Sequence, residues 1–248
     1  MRWRFVVFTL FSLELNLTGL AQDTGDNAIV TDRPDITESA IVVPTASLQA
    51  ENGGAWTSGR HATGFDICQS LLRLGVGHGA EFRLALPSRF EGFSLGFKRQ
   101  LGPMHGVDIS LIVAVSLPVG STAQTSHRVD PFLKIPWSRD IGHGWSIGGM
   151  GSVFWLTEVG RRNLTWEPTF VLERELTYAA YAFAEYGGDY PQRGGSRQTA
   201  HFGAAYKIGS KNQIDFHFGF GLSPVTPDRF FAVGYSFRID RLWGRRSP

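Results

Sequence analysis

The sequence predicts an all-β protein, an antiparallel β-barrel that crosses a membrane with its strands. Three observations carry that prediction. Gly accounts for 30 of 248 residues and Phe for 19, while charged residues make up only 19%, below the roughly 25% of soluble domains. Past the N-terminus, no window of about 20 residues is apolar enough for a membrane helix. Period-two alternation of apolar and small or polar residues runs for about ten residues at a time, the length of a tilted membrane strand rather than of a globular one. A hydrophobic content of 42% excludes disorder. The formal net charge of +2 leaves no concentrated basic face, so no nucleic-acid partner is expected.

The elements follow in chain order. Residues 1–21, MRWRFVVFTLFSLELNLTGLA, read as a cleaved export signal: Arg2 and Arg4 precede an apolar core from Phe5 to Leu13 that is too short to span a bilayer, and Gly19-Leu20-Ala21 presents small residues at the cleavage positions. An unusual soluble N-terminus or a short anchor is the alternative, because Glu14 sits unusually close behind the apolar core. The mature chain is expected to start near Gln22. The lone Cys68 allows no intrachain disulfide and reads as a small apolar filler.

Residues 22–45 are too short for a domain yet carry Asp32, Arg33, Asp35 and Glu38. They read either as a pre-barrel insert or plug in the lumen, its charges paired with strand charges, or as a solvated extension.

Residues 46–239 form the expected barrel of about twelve strands, with about ten or fourteen also compatible. The strands are expected to begin near Ser47, Ile67, Ala80, Gly92, Asp108, Asp130, Trp145, Leu164, Thr177, Arg197, Asn212 and Arg229. Breaker clusters such as Gly102-Pro103, Gly142-His143-Gly144 and Ser223-Pro224 separate them. Pro131 and Pro136 flank the sixth strand and Pro168 falls inside the eighth, where a ladder N–H would be missing. An even count keeps both termini on the periplasmic side.

Alternation also assigns faces. Ile109, Leu111, Val113, Val115 and Leu117 share one face, opposite the smaller or more polar Asp108, Ser110, Ile112, Ala114 and Ser116. Ile214, Phe216, Phe218, Phe220 and Leu222 oppose Asp215, His217, Gly219 and Gly221, and Phe231, Val233, Tyr235, Phe237 and Ile239 oppose Ala232, Gly234, Ser236 and Arg238. A soluble sandwich would cover its outer face with Lys, Glu and Thr, whereas these opposite faces are small and suit a narrow barrel interior. The bulky face then meets lipid, with phenylalanines outward and Trp and Tyr near the strand ends.

On this pattern the lumen-facing charges are Glu81, Arg83, Lys98, Glu167, Glu173, Asp215, His217 and Arg238. They form either a lining that selects or gates solutes, or a buried ion-pair network that holds the barrel rigid. No catalytic constellation is expected: no Ser–His spacing matches a membrane hydrolase. The seven His residues are scattered, several beside Gly in turns, so no metal and no cofactor is expected.

The stretch Val30-Thr31-Asp32-Arg33-Pro34-Asp35-Ile36-Thr37-Glu38-Ser39, followed by Ser47-Leu48-Gln49-Ala50-Glu51, resembles the opening of a family of outer-membrane proteins labelled for a phenol-degradation meta pathway, or simply as transporters. The resemblance continues through Leu71-Leu72-Arg73-Leu74-Gly75, Ala80-Glu81-Phe82-Arg83-Leu84, Leu95-Gly96-Phe97-Lys98 and Ser116-Leu117-Pro118-Val119-Gly120-Ser121. It implies an outer-membrane barrel of a Gram-negative cell that passes small hydrophobic or aromatic compounds without cofactor or energy coupling. A closed-lumen structural or lipid-modifying protein is the alternative. The implied partners are outer-membrane lipids, the barrel-assembly machinery during biogenesis and small hydrophobic solutes. One departure is the C-terminal tail, residues 240–248, which follows Tyr235-Ser236-Phe237-Arg238-Ile239 where such barrels end on an aromatic residue.

Overall fold

The structure is a computed structural model and describes residues 28–59, 63–86, 92–119, 126–158 and 160–243. The expected export signal, the end of the C-terminal tail and the side chain of Cys68 lie outside the described residues.

Twelve strands close into one antiparallel barrel. They are β1 (Leu48–Ser58), β2 (Thr63–Gly77), β3 (Ala80–Leu86), β4 (Ser94–Gln100), β5 (Asp108–Ser116), β6 (Asp130–Gly142), β7 (Trp145–Glu158), β8 (Arg161–Thr177), β9 (Ala180–Pro191), β10 (Arg197–Ile208), β11 (Asn212–Gly221) and β12 (Arg229–Ile239). Closure is between the first and last strands, in register from Leu48 opposite Ile239 to Ser58 opposite Arg229. Closing the sheet leaves no edge with unpaired backbone groups, the condition for a sheet in hydrocarbon.

Seven of the expected strand starts coincide with the observed ones. The others move by a few residues, the largest shift placing the start of β2 at Thr63 instead of Ile67. The strand expected near Thr177 begins at Ala180, because Thr177 still pairs within β8 and Tyr178-Ala179 forms the turn.

The prolines sit inside strands with the ladder open on one side. Pro168 pairs with Gly151 on β7, but the β8–β9 register passes from Trp166 to Thr169 without it. Pro136 pairs with Met150 on β7, while the β5–β6 register skips from Trp137 to Lys134. A missing N–H is tolerated where no acceptor is presented to it.

Both termini of the barrel lie at the end that carries the turns at Gly77-His78-Gly79, Gly142-His143-Gly144, Tyr178-Ala179 and Gly209–Lys211. The opposite end carries longer connections, including 117–129 and 222–228. Short turns on the terminal side and longer loops opposite identify the periplasmic and outer faces. His78, His105 and His143 adopt φ of 55°, 52° and 56° in the periplasmic turns, the left-handed conformation of turn residues.

The lipid-facing side is apolar, with Phe216, Phe218 and Phe220 exposed beside buried Asp215 and Gly219. Exposed Trp145, Tyr178, Tyr206 and Tyr235 lie near the periplasmic ends of their strands, and Trp155, Trp166 and Tyr190 near the outer ends, as two interfacial belts. Not every phenylalanine faces lipid. Phe132, Phe154, Phe183 and Phe230 point into the lumen: Phe132 stacks on Phe154 with ring centroids 5.0 Å apart, and Phe183 and Phe230 pack on His201, whose side chain is wholly buried.

Candidate functional site: the occupied lumen

Residues 28–47 run through the bore. The tracing follows from the walls they touch: Arg33 reaches Asp215 on β11, Asp32 reaches Arg83 on β3, Ile36 and Thr37 reach Glu185 on β9, and Glu38 reaches Lys134 on β6. Only a chain inside the barrel meets all of these strands.

Side chains, not the sheet ladder, hold it. Backbone-to-backbone bonds tie its two ends, from Ile29 N to the Ser210 carbonyl (2.8 Å) and from Ala46 N to the Gly75 carbonyl (2.9 Å). Between them, wall side chains satisfy the segment's backbone groups. Glu51 accepts from Asp32 N at 2.8 Å, Glu81 from Val43 N at 2.6 Å, and Glu185 from Ile36 N at 2.8 Å and Thr37 N at 2.7 Å. Gln49 donates to the Val30 carbonyl at 2.8 Å and Arg73 to the Ile41 carbonyl at 2.8 Å. Each is a polar group removed from water and therefore in need of a partner.

The bore has two electrostatic sides. On the β1–β6 side, Arg73 contacts Glu51 and Glu81, each at 2.8 Å, and Asp32 at 3.3 Å. Arg83 contacts Asp32 at 2.6 Å, Glu38 at 2.7 Å and Glu81 at 2.8 Å. Lys98 approaches Asp32 at 3.4 Å, and Lys134 holds Glu38 at 2.6 Å. Burial alone would raise the Asp32 and Glu38 carboxyls, but the cations around them outweigh it and hold both below the usual carboxylate range.

On the β8–β11 side the wall is acidic and aromatic. Glu185 lies 2.5 Å from His201 Nε2, and His201 packs edge-on against His217 and Phe183. Asp215 receives Arg33. Glu173 accepts from Ser146 Oγ at 3.0 Å, and Glu167 lies opposite fully buried Ser152, facing the lumen. Arg238 bonds Asp240 beyond the end of β12 at 2.7 Å and also reaches the Ala28 carbonyl.

The structure thus places Glu81, Arg83, Lys98, Glu167, Glu173, Asp215, His217 and Arg238 on the lumen side, and Asp32, Arg33, Asp35 and Glu38 among them. It adds Gln49, Glu51, Arg73, Lys134, Glu185, His201 and Gln213 as direct contacts of the segment or its partners. Glu51 carried a signal, since it alternates with Gln49 on the first strand. Glu185 carried one too, two residues after Phe183 on a face opposed by Ala182 and Ala184.

Several lumen glycines are spaces that the segment fills. A Cβ on Gly53 or Gly234 would overlap the Arg33 side chain, and one on Gly187 would come within 2.8 Å of Ile36 Cδ1. One on Gly75 would lie 2.5 Å from the Val43 carbonyl oxygen. Close approach of another backbone is a recurrent use of glycine in strands.

Asp35 is the one strained charge in the segment. Its carboxyl is pushed well above the usual carboxylate range, first by burial and then by the carboxylates of Glu185 and Glu173. A docked pKa above the free value of 3.8 means that docking is favoured while Asp35 is protonated. That contribution is fully present below the free value and is lost as pH rises through the docked one. Asp35→Asn is therefore expected to slow proteinase K cleavage within residues 28–45 at neutral pH and to flatten its pH dependence. An unchanged or faster cleavage rate would contradict this assignment.

Two cavities remain beside the segment. One of about 300 Å³ opens at the periplasmic mouth among Trp145, Ser146, Glu173, Tyr181 and Lys207. The other, of about 250 Å³, shares Glu173, Tyr181 and Lys207 with it and reaches Asp35 and Glu38. Among the described residues, no group of three or more His, Cys, Asp or Glu could hold a metal ion, and no helix is long and apolar enough to cross a membrane.

The family model described as "Putative MetA-pathway of phenol degradation" matches residues 31–239, the lumen segment and all twelve strands together. The chain belongs to this family. No curated protein matches the sequence. Among solved structures, the family member's fold is similar to that of the NanC porin, with a TM-score of 0.60 at 9% identity over 77% of this chain and 100% of that one. An outer membrane channel from Pseudomonas putida F1 gives a TM-score of 0.59 at 9% identity, over 87% and 98% of the two chains. The KdgM porin gives 0.55 at 10% identity, over 76% and 98%. At such identities the likeness is one of fold. The chain has the fold of outer-membrane channel β-barrels.

Proposed function

We propose that this barrel is a passive channel for small hydrophobic or aromatic solutes, closed in the observed state by residues 28–45. The observation that carries the reading is how the segment is held. Among the described residues, no backbone-to-backbone hydrogen bond joins residues 30–45 to a strand, so the segment can leave the bore without breaking the sheet. A fixed structural filler gains nothing from that separation, whereas a gate needs it.

The solute class rests on the lumen's aromatic surface. Phe132 and Phe154 form a stacked pair inside the bore, and Phe183, Phe230 and Tyr181 line the opposite wall. Aromatic faces flanked by polar groups suit solutes with an apolar ring and a polar handle. The reading includes export through a cleaved signal over residues 1–21, insertion among outer-membrane lipids by the barrel-assembly machinery, and diffusion without cofactor or energy coupling.

The dense ion-pair network favours a second reading, a barrel permanently closed and serving as structure. Planar bilayers separate the two. The mature protein is expected to be mostly closed, and a form lacking residues 22–45 to conduct steadily. Absence of conductance and solute flux in both forms would leave only the closed structural protein.

A further inference from the structure

The segment does more than fill space on the β1–β6 side; it presents a carboxylate to a pair of cations. Glu38 sits between Arg83 Nη2 at 2.7 Å and Lys134 Nζ at 2.6 Å. Two cationic donors on the two oxygens of one carboxylate make a strong, directional arrangement. Glu38 belongs to a segment without sheet pairing, while Arg83 and Lys134 belong to β3 and β6.

The surroundings extend the resemblance to a bound molecule. Lys134 Nζ also lies 5.6 Å from the Phe132 ring centroid and 5.7 Å from that of Phe154, so the ammonium joins a carboxylate position to an aromatic shelf. Cations over ring faces are attractive, and rings stack in offset on such a pair. The cavity of about 250 Å³ reaches Glu38 and shares Glu173, Tyr181 and Lys207 as lining with the cavity at the periplasmic mouth.

The charge balance agrees. The cluster holds four cations, Arg73, Arg83, Lys98 and Lys134, against the wall carboxylates Glu51 and Glu81, with Glu167 acting on Lys134 from β8. With Asp32 and Glu38 present the carboxylates outnumber the cations by one; with both withdrawn the cations outnumber them by one. A vacated wall therefore attracts an anion.

We propose that Arg83, Lys134 and the Phe132–Phe154 pair form a binding site for a small aromatic carboxylate, and that Glu38 occupies it as a built-in competitor in the closed state. This deepens the channel reading by giving its solutes a charge. It rests on that reading for the site's role in permeation but not for binding itself.

Wild-type affinity is low on this view, because a tethered carboxylate competes at high effective concentration. Emptying the position by Glu38→Ala leaves Lys134 without its carboxylate and Arg83 with one guanidinium nitrogen unpaired, the other still held by Asp32 and Glu81. The test is calorimetric titration of the detergent-folded full mature chain with benzoate, benzyl alcohol and acetate. Heat-modifiable gel migration checks that each variant is folded. In Glu38→Ala, benzoate is expected to bind about tenfold or more tightly than in the wild type, and about tenfold more tightly than benzyl alcohol, the increment of roughly one charge-assisted contact. Acetate, lacking a ring, should bind more weakly than benzoate. Adding Lys134→Met to Glu38→Ala should remove the preference for benzoate over benzyl alcohol.

Equal binding of benzoate and benzyl alcohol in folded Glu38→Ala overturns the proposal, as does benzoate binding unaffected by Lys134→Met. If Glu38→Ala does not fold, Glu38→Gln, which still fills the position but holds the cations without charge, is titrated in its place; a smaller gain in benzoate affinity is expected, with the same preference over benzyl alcohol and the same loss of it on adding Lys134→Met. Binding in detergent does not depend on conductance. A barrel that conducts nothing but binds benzoate refutes the channel alone, and one that conducts without binding refutes the site alone.

Discussion

Replacing Arg73 with methionine is expected to lower the barrel's unfolding free energy by about 3–5 kcal/mol, the cost of breaking a buried charge pair on one side. The Arg73 side chain is fully buried and contacts Glu51 and Glu81 at 2.8 Å, whose side chains are equally buried, with Asp32 at 3.3 Å. It also donates to the Val30 and Ile41 carbonyls of the segment. Methionine keeps much of the volume, leaves Glu51 with no cation in contact and leaves Glu81 with Arg83 alone. The loss comes from those under-compensated buried charges and not from a missing attraction, so Glu51→Gln and Glu81→Gln in the same chain should restore a large part of it. Urea unfolding followed by tryptophan fluorescence provides the measurement. A triple variant as unstable as Arg73→Met would show that the arginine acts through packing.

Gly75→Ala is expected to produce the next largest effect, a loss of about 1–3 kcal/mol from overpacking, confined to the docked segment. Its new methyl would lie 2.5 Å from the Val43 carbonyl oxygen and 2.7 Å from the Pro44 carbonyl carbon. Backbone atoms cannot rotate away as a side-chain tip can. Gly75 also anchors the end of the segment, its carbonyl accepting from Ala46 N and its own N–H donating to the Ser47 carbonyl, both at 2.9 Å. The strands should remain folded while residues 43–46 lose their seat. In bilayers the variant should open more often than the wild type, and proteinase K should cut the segment faster. A chain as closed and as resistant as the wild type would mean that the wall yields and not the segment.

Much of this molecule could be read from the order of its residues. Ile214 to Gly221 alternate bulky apolar residues with small or polar ones without a break, and they lie in β11 with the bulky set on lipid. The lumen charges were legible for the same reason: Glu81, Arg83 and Lys98 occupy the inward phase of short, regular strands. The rule that phenylalanines face lipid failed where a ring shares the polar phase. In Asp130-Pro131-Phe132-Leu133-Lys134-Ile135-Pro136, Asp130 and Lys134 mark the inward phase, and Phe132 stands on it between them. Phe183 was misplaced by size alone, although Glu185 shares its face.

By itself, the sequence determined a barrel, its strands and the side of the wall on which most residues stand, because alternation is a local property with a period of two. Only the tertiary structure decided what those residues do inside. Arg33 and Asp215 are 182 positions apart and meet in the bore, and Glu38 finds Lys134 across 96 positions. Such pairings depend on closure, on the path of a segment without secondary structure and on which glycines leave room for it. No local pattern records contacts across an enclosed space, so the occupied lumen and the cations behind Glu38 emerge only when the sheet is closed around them.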